Sequence, residues 1–299
     1  MIFQTYTFNE QQAGLAAVAT VGTFDGVHRG HQYLISQVKA EAARRHQRSM
    51  VITFDRHPAS LFGYDKPLLT TNEEKFRLIK QTGVKTLVVL TFDRPLAALT
   101  AETFMEQLRT RLNVSTLVVG YDNHFGSDQR QVQPGPGPAG IDVVAAGAFT
   151  ADTLAVSSSA IRNDLLQGDV TTAGSRLGRP YRLTGEVVHG QHVGTQLGFP
   201  TANLRPSPSL LIPMGGAYAV RTDKGQDGIL NIGCRPTFHG QEKTIEVHLI
   251  GYDGDLYGQP LTIDFIRRLR DEQAFASPEA LIAQLQRDKA QAIHILHEQ

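Results

Sequence analysis

The chain carries one cysteine, Cys234, so no intramolecular disulfide can form, and the Cys and His spacings of a zinc site are missing. It lacks net charge: 29 basic residues balance 29 acidic ones, which removes any global reason to expect a nucleic-acid or membrane-surface partner. Any phosphate binding must therefore be local. No apolar run reaches membrane-spanning length, and residues 1–8 lack the basic segment and apolar core of an export signal. These absences predict a soluble, cytoplasmic protein in which Cys234 is a small buried residue. Internal repeats and low-complexity tracts are absent as well, which excludes solenoids and extended arrays.

What is present suits ordinary folding. At 299 residues, with 41% hydrophobic and 19% charged side chains, the chain is long enough for two cores and too apolar for wholesale disorder. Its first half alternates β-branched or apolar runs at 16–20, 50–54, 86–92, 116–119 and 141–145 with helical periodicity at 32–45, 73–81 and 101–112. That order predicts a doubly wound α/β domain, whose substrates bind beyond the carboxyl ends of the strands, so the loops after Thr20, Phe54, Phe92 and Val119 take priority. Residues 133–140, with Pro134, Pro136 and Pro138 between glycines, predict a loop. A capped helix over 157–168 and a short one at 171–177 follow. After Pro180, short alternating segments at 181–189, 217–222, 227–232, 244–249 and 259–265 predict a small β-barrel. A helix over 277–295, with Pro278 behind a serine cap, closes the chain. The boundary falls near Arg179, dividing the chain into 1–178 and 179–299.

Gly22-Thr23-Phe24-Asp25-Gly26-Val27-His28-Arg29-Gly30-His31 follows the first strand and leads into the first helix. His28 and His31, three apart, face the same way there, beside the unpaired N–H groups and positive dipole end of a helix start. Donors so placed suit the charge that develops on an α-phosphate as pyrophosphate leaves. Glycines 22, 26 and 30 let backbone approach a nucleotide. Standing alone, His-x-Gly-His also fits a turn cap followed by a surface histidine; its place after the first strand favours the phosphate role. The Lys-Met-Ser-Lys-Ser partner of the class I aminoacyl-tRNA synthetases is missing, which favours adenylyl transfer onto a small molecule. Ser157, Ser158 and Ser159, with Arg162 one turn on, form a second helix start suited to β- and γ-phosphates; standing alone, the segment fits an ordinary serine-capped helix with a solvated arginine better. The loops 54–58 and 120–126, the latter with Asp122, follow strands and could line a substrate pocket.

The second half has no Walker-type loop. Residues 190–203 nonetheless combine the glycines 190, 194 and 198 with Phe199-Pro200-Thr201-Ala202-Asn203, whose hydroxyl and amide oxygen are hard donors for Mg²⁺ and phosphate. A glycine-rich hairpin with a polar tip is the plainer alternative. Glu246 lies in Thr244-Ile245-Glu246-Val247-His248-Leu249, on the face shared with Thr244 and His248. It is placed either as a general base for a hydroxyl or as part of a solvated outer face. Residues 267–273 form a charge run after the last strand.

Taken together, residues 22–31, Ser157-Ser158-Ser159-x-x-Arg162, Gly178-Arg179-Pro180-Tyr181, 197–204, 231–238, Glu246-Val247-His248, 253–258 and Arg270-Asp271-Glu272-Gln273 resemble, in order, the bacterial bifunctional riboflavin kinase and FMN adenylyltransferase family. The resemblance spans nearly the whole chain. It implies a Rossmann-like nucleotidyltransferase domain and a riboflavin kinase barrel, with ATP and Mg²⁺ for both steps. Riboflavin and FMN would be the acceptors, FAD the product, and no nucleic acid or membrane a partner. It further implies that His28 and His31 contact the ATP phosphates, helped by Ser158, Ser159 and Arg162, with Asp122 near the flavin or adenine. Gly22, Phe24, Asp25, Gly30 and Ser157 belong to the same nucleotide site. In the kinase, Thr201 and Asn203 bind Mg²⁺-ATP beside Gly194, Gly198 and Pro200, Glu246 is the base, and Arg270 approaches the flavin. The chain departs from the family pattern at Asn123-His124, where an aromatic is usual, at Val193 and Thr195, where basic residues are common, and at Ser159, where threonine is typical. The first departure leaves two outcomes open: both activities retained, or the kinase alone.

Overall fold

A computed structural model describes residues 2–6, 15–64, 66–120, 123–147, 149, 156–190, 198–237 and 240–298; for 2–6, 235–237 and 240–242 it gives the backbone alone. The chain divides into two compact units, Met1–Val156 and Ser157–Gln299.

The first unit is built on strands β1 (Ile2–Tyr6), β2 (Ala17–Val21), β3 (Arg48–Phe54), β4 (Thr86–Leu90), β5 (Val114–Val119), β6 (Gly135–Pro136) and β7 (Asp142–Ala145), in the sheet order β1-β4-β3-β2-β5-β7-β6. All pair in parallel except β6 with β7. Every residue of β4, and of β3 from Ser49 onward, is buried, as expected of parallel strands covered on both faces. Helices α1 (Arg29–Arg44) and α2 (Asn72–Gln81) pack Ile35, Leu78 and Ile79 against Val51, Leu87 and Val89 on one face. Helix α4 (Ala101–Leu112), preceded by the short α3 (Arg94–Ala98), packs Phe104, Met105 and Leu108 against Met50, Ile52 and Leu117 on the other. The doubly wound α/β expectation is thus borne out. Strand β2 pairs with β3 on one side and β5 on the other, so the order reverses there and opens a crevice beyond the carboxyl ends of β2 and β5.

The second unit begins with helices α5 (Ser158–Leu166) and α6 (Val170–Leu177). A closed antiparallel barrel follows, made of β8 (Tyr181–Val188), β9 (Ala202–Pro206), β10 (Gly216–Thr222), β11 (Asp227–Thr237), β12 (Gly240–Leu249) and β13 (Pro260–Arg270), in the order β10-β11-β12-β9-β8-β13. Helix α7 (Pro278–His297) starts at the Ser277 cap, whose hydroxyl accepts from the Ala280 N–H, and lays Ala292, Ile295 and Leu296 on Ala219 and Ile229. The predicted barrel and closing helix are present.

Several local expectations change. Residues 133–140 are not a plain loop: Gly135–Pro136 pairs with β7 at the sheet edge, where a proline costs no ladder bond, and Pro138–Gly140 forms a 3₁₀ turn. The predicted strand 86–92 stops at Leu90, because Asp55 Oδ1 takes the Phe92 N–H at 2.9 Å. Part of the charge run 267–273 continues β13 as far as Arg270. Cys234 is exposed rather than buried, although its N–H donates to Glu272 Oε1 at 3.0 Å. Helices α5 and α6 belong to the compact unit that begins at Ser157, where α6 packs on β8 and β13.

Candidate active sites

In the first unit the signature 22–31 forms the turn between β2 and α1. His28 is the cap of α1 and not part of it: its Nδ1 accepts the His31 N–H at 3.3 Å. An accepting Nδ1 puts the proton of a neutral His28 on Nε2, which makes that atom a donor. The two imidazoles stack, with centroids 3.5 Å apart and an interplanar angle of 17°, and Phe24 meets the His31 ring edge-on at 5.1 Å. Burial first, and then the adjacent His28, holds the His31 pKa well below the ordinary 6.5, so His31 is neutral at neutral pH. Its Nδ1 is buried with no hydrogen-bond partner among the described residues. Gly30 serves His28 directly, since a Cβ there would lie 3.2 Å from His28 Nδ1. A Cβ on Gly22 would meet the Phe24 ring at 3.2 Å.

The turn is held at a conformational cost: Phe24 and Val27 have φ of 50° and 41°, in the left-handed region. Asp25 supplies part of the restraint. It is buried, and its Oδ1 accepts the N–H groups of Leu69 and Thr70 at 2.9 and 3.3 Å. The Gly26 N–H donates to Thr70 Oγ1 at 3.2 Å. Lys75, buried close by, donates to the Phe54 carbonyl at 2.8 Å. Burial lowers its pKa to about 8, against the opposing pull of Asp25 and Asp55. Sequence periodicity gives no sign of this lysine, because it occupies a helical position of ordinary appearance.

The four loops given priority converge on one cavity of 770 Å³ in this unit. Gly22, Phe24 and His31 line one part; Phe54, Phe62, Phe92, Phe104 and Phe125 line another. Phe54 and Phe92 meet edge to face at 5.1 Å. Asn123, at the departure from the family pattern, closes its own loop: Nδ2 donates to the Gly120 carbonyl at 2.9 Å and Oδ1 accepts the Val132 N–H at 3.0 Å. Asp122 lies outside the described residues.

In the second unit, Ser157 caps α5, with Oγ accepting the Ala160 N–H at 3.1 Å, so this hydroxyl is already engaged in holding the helix start. Ser158 and Arg162, four apart, are partly buried on one side of the helix, and Ser159 is exposed. In the barrel, Glu246 stands directly opposite Asn203 of β9 and Asn231 of β11, so these three side chains share one face. Gly190 makes room for Asn203, since a Cβ there would lie 1.9 Å from Asn203 Nδ2. The opposite face, with Val187, Ala202, Val247 and Leu249, borders a cavity of 290 Å³ whose rim is Pro200, Thr201 and residues 252–257. Thr201 therefore sits where β9 begins, beside the cavity, while Asn203 and Glu246 lie on the other face of the same strands. Gly198 has a φ of 78° in the turn before Thr201. Gly194, with Val193 and Thr195, lies outside the described residues.

Arg270, at the end of β13, pairs with Asp288. Its Nε lies 3.1 and 3.0 Å from the two oxygens of Asp288 on α7, its Nη2 2.9 Å from Oδ2, and its guanidinium faces the Phe275 ring at 5.7 Å. Asp288 is 1% exposed, so it requires a cation, and nothing in the helical periodicity distinguishes it from a surface aspartate. Among the described residues no group of three His, Cys, Asp or Glu side chains could hold a metal ion, and no helix is long and apolar enough to cross a membrane.

Comparison with known proteins covers both units. The FAD synthetase family pattern matches residues 10–166, and the riboflavin kinase pattern matches residues 177–296. The bifunctional riboflavin kinase/FMN adenylyltransferase of Escherichia coli (strain K12) is 38% identical over 92% of this chain and 91% of its own. Those of Bacillus subtilis (strain 168) and Pseudomonas fluorescens are 35% and 39% identical over 96% and 92% of this chain, and over 94% and 91% of their own. A solved structure described as a macrolide-efflux protein from Streptococcus pneumoniae is 28% identical, with a TM-score of 0.85 over 97% of this chain and 98% of that one.

Proposed function

The chain belongs to the bifunctional riboflavin kinase/FMN adenylyltransferase family, and we propose that its two units perform the two steps at separate sites, the barrel making FMN and the α/β unit making FAD. The observation that carries this division is that each unit has its own cavity, with its own signature beside it: His28 and His31 at the 770 Å³ cavity, Thr201 at the 290 Å³ one.

In the barrel, the riboflavin 5′-hydroxyl attacks the γ-phosphate of ATP, Glu246 accepts the hydroxyl proton, and ADP leaves. The cavity beside Thr201 takes the nucleoside end of ATP, and its phosphates pass Thr201, at the start of β9, to reach the face with Asn203, Glu246 and Asn231, where the acceptor hydroxyl meets them. Thr201 Oγ1 and Asn203 Oδ1 are the hard donors that would hold Mg²⁺. With no acidic cluster among the described residues, ATP phosphates would complete its shell. Bound there, Mg²⁺ would neutralise phosphate charge. Gly190, Gly194 and Gly198 leave the surrounding backbone free of side chains.

In the α/β unit, an FMN phosphate oxygen attacks the α-phosphate of ATP and pyrophosphate departs. His28 Nε2–H, the neutral His31 and the start of α1 supply donors where charge builds up. The five phenylalanines give the isoalloxazine ring an apolar wall, so a missing aromatic at 123–124 does not strip the site of stacking partners. This favours retention of both activities. Ser157, Ser158, Ser159 and Arg162 keep the anion-binding role of a helix start, Asp122 a place near the flavin or adenine, and the chain a cytosolic location.

Chromatography of flavins after incubation with riboflavin and ATP tests the division. His28→Ala should stop at FMN. Glu246→Ala should leave riboflavin unchanged while still converting supplied FMN to FAD. Loss of both conversions from either substitution, in a folded protein, would contradict separate sites.

A further inference from the structure

Strand β9 pairs with β12 at two positions among the described residues, Asn203 with Glu246 and Ala202 with Val247. Upstream of Ala202 the ladder stops, and Pro200 has no N–H with which to extend it. The turn that carries Thr201 to the nucleotide cavity must be held by something else. His248, the next residue of β12 on the Glu246 face, occupies the position where the ladder fails. Its Nδ1 lies 2.9 Å from the Pro200 carbonyl oxygen, and because a carbonyl can only accept, Nδ1 carries the proton. The same ring meets Phe199 edge-on, with centroids 5.3 Å apart at 62°.

The ring has little other business. His248 is 9% exposed and Phe199 8%, and His248 Nε2 is buried with no hydrogen-bond partner among the described residues. Ile229 of β11 stands opposite it, and Lys289 of α7 is the charged group that faces it. Burial lowers its pKa, the Pro200 bond partly raises it, and Lys289 lowers it again, consistent with a neutral ring that donates through Nδ1. We infer that His248 is a positioning residue of the kinase, fixing the 198–201 turn through the Pro200 carbonyl and the Phe199 ring so that Thr201 meets the nucleotide; this rests on the kinase reading above.

The test uses the full chain with His248→Leu and His248→Asn, since the asparagine amide can donate from the place of Nδ1. FMN formation is followed against ATP and against riboflavin, FAD formation from supplied FMN serves as the internal control, and thermal unfolding is recorded. His248→Leu should raise KM for ATP about tenfold, with riboflavin KM and FAD formation unchanged, and His248→Asn should stay within about threefold of the parent. Parental KM in the leucine variant, or equal damage in both variants, would overturn the inference. Should the leucine variant fail to fold, His248→Gln, whose amide reaches the Nε2 position, replaces it: KM raised by glutamine and spared by asparagine supports the inference, and equal KM in the two refutes it. Glu246→Gln is measured alongside; FMN formation that survives it would sink the kinase reading itself, independently of position 248.

Discussion

Replacing Asp288 with alanine should destabilise the barrel unit more than any change at a surface carboxylate. Both oxygens of this buried side chain are engaged by Arg270, and Gln284 Nε2 donates to Oδ1 at 2.7 Å. Among the described residues, removing it leaves a guanidinium with the Asp271 carbonyl at 3.0 Å and the Phe275 ring as its remaining partners. Breaking a buried pair costs about 3–5 kcal/mol. Because the Arg270 side chain remains 17% exposed, water recovers part of that, which argues for the lower end, about 3 kcal/mol. For a unit of this size the melting temperature should fall by roughly 10 °C. Scanning calorimetry of the full chain measures this, the barrel transition being the one that riboflavin shifts upward. Arg270→Leu combined with Asp288→Leu should regain most of the loss, since neither charge is then stranded. The reasoning fails if Asp288→Ala melts within a degree or two of the parent while riboflavin KM rises, for Arg270 would then face the flavin and its pairing with α7 would be incidental.

Gly126→Ala should cost at least about 2 kcal/mol, because the residue has a φ of 71° and its Cβ would lie 2.1 Å from the Ala101 backbone nitrogen. Denaturant unfolding and a selective loss of FAD formation check it. Gly190→Ala should instead lower FMN formation from riboflavin, since the new Cβ displaces the Asn203 amide, while conversion of supplied FMN to FAD continues. Lys75 links stability to pH. Its pKa is about 8 in the fold against 10.5 ordinarily, so the unfolded chain binds the extra proton between those values and stability rises with pH across that window, by roughly 3 kcal/mol in all. Lys75→Met should be more stable than the parent below pH 8 and lose that rise; an identical pH slope in parent and variant would remove Lys75 as its source.

Much of the architecture is legible because burial on both faces writes itself into β3 and β4 as largely apolar runs, and because caps such as Ser277, whose hydroxyl takes the Ala280 N–H, mark helix starts. Strand β9 escapes notice: Ala202-Asn203-Leu204-Arg205-Pro206 has no β-branched residue, and pairing with β8 and β12 is what makes it a strand. The site is legible in its chemistry more than in its wiring. That His28 and His31 meet follows from their spacing, but that His28 does so as the helix cap rather than from within the helix does not, and that Asp25 ties the turn to Leu69 depends on a contact 44 residues away in sequence. Arg270 and Asp288 show the same limit, for a charge run and a helical aspartate carry no mark of the burial that joins them. Likewise, strict alternation in β12 puts His248 on a polar face, which the Phe199–Pro200 turn then covers.

The placement of α5 and α6 bears on whether this polypeptide could ever be divided. The FAD synthetase pattern runs to residue 166 and so includes α5, whereas the compact second unit begins at Ser157. A break after residue 156 would divide the stretch that the FAD synthetase pattern covers; a break after residue 178 would deprive α6 of the β8 and β13 surface that shelters it. Neither fragment pair inherits a complete set of both signature and support.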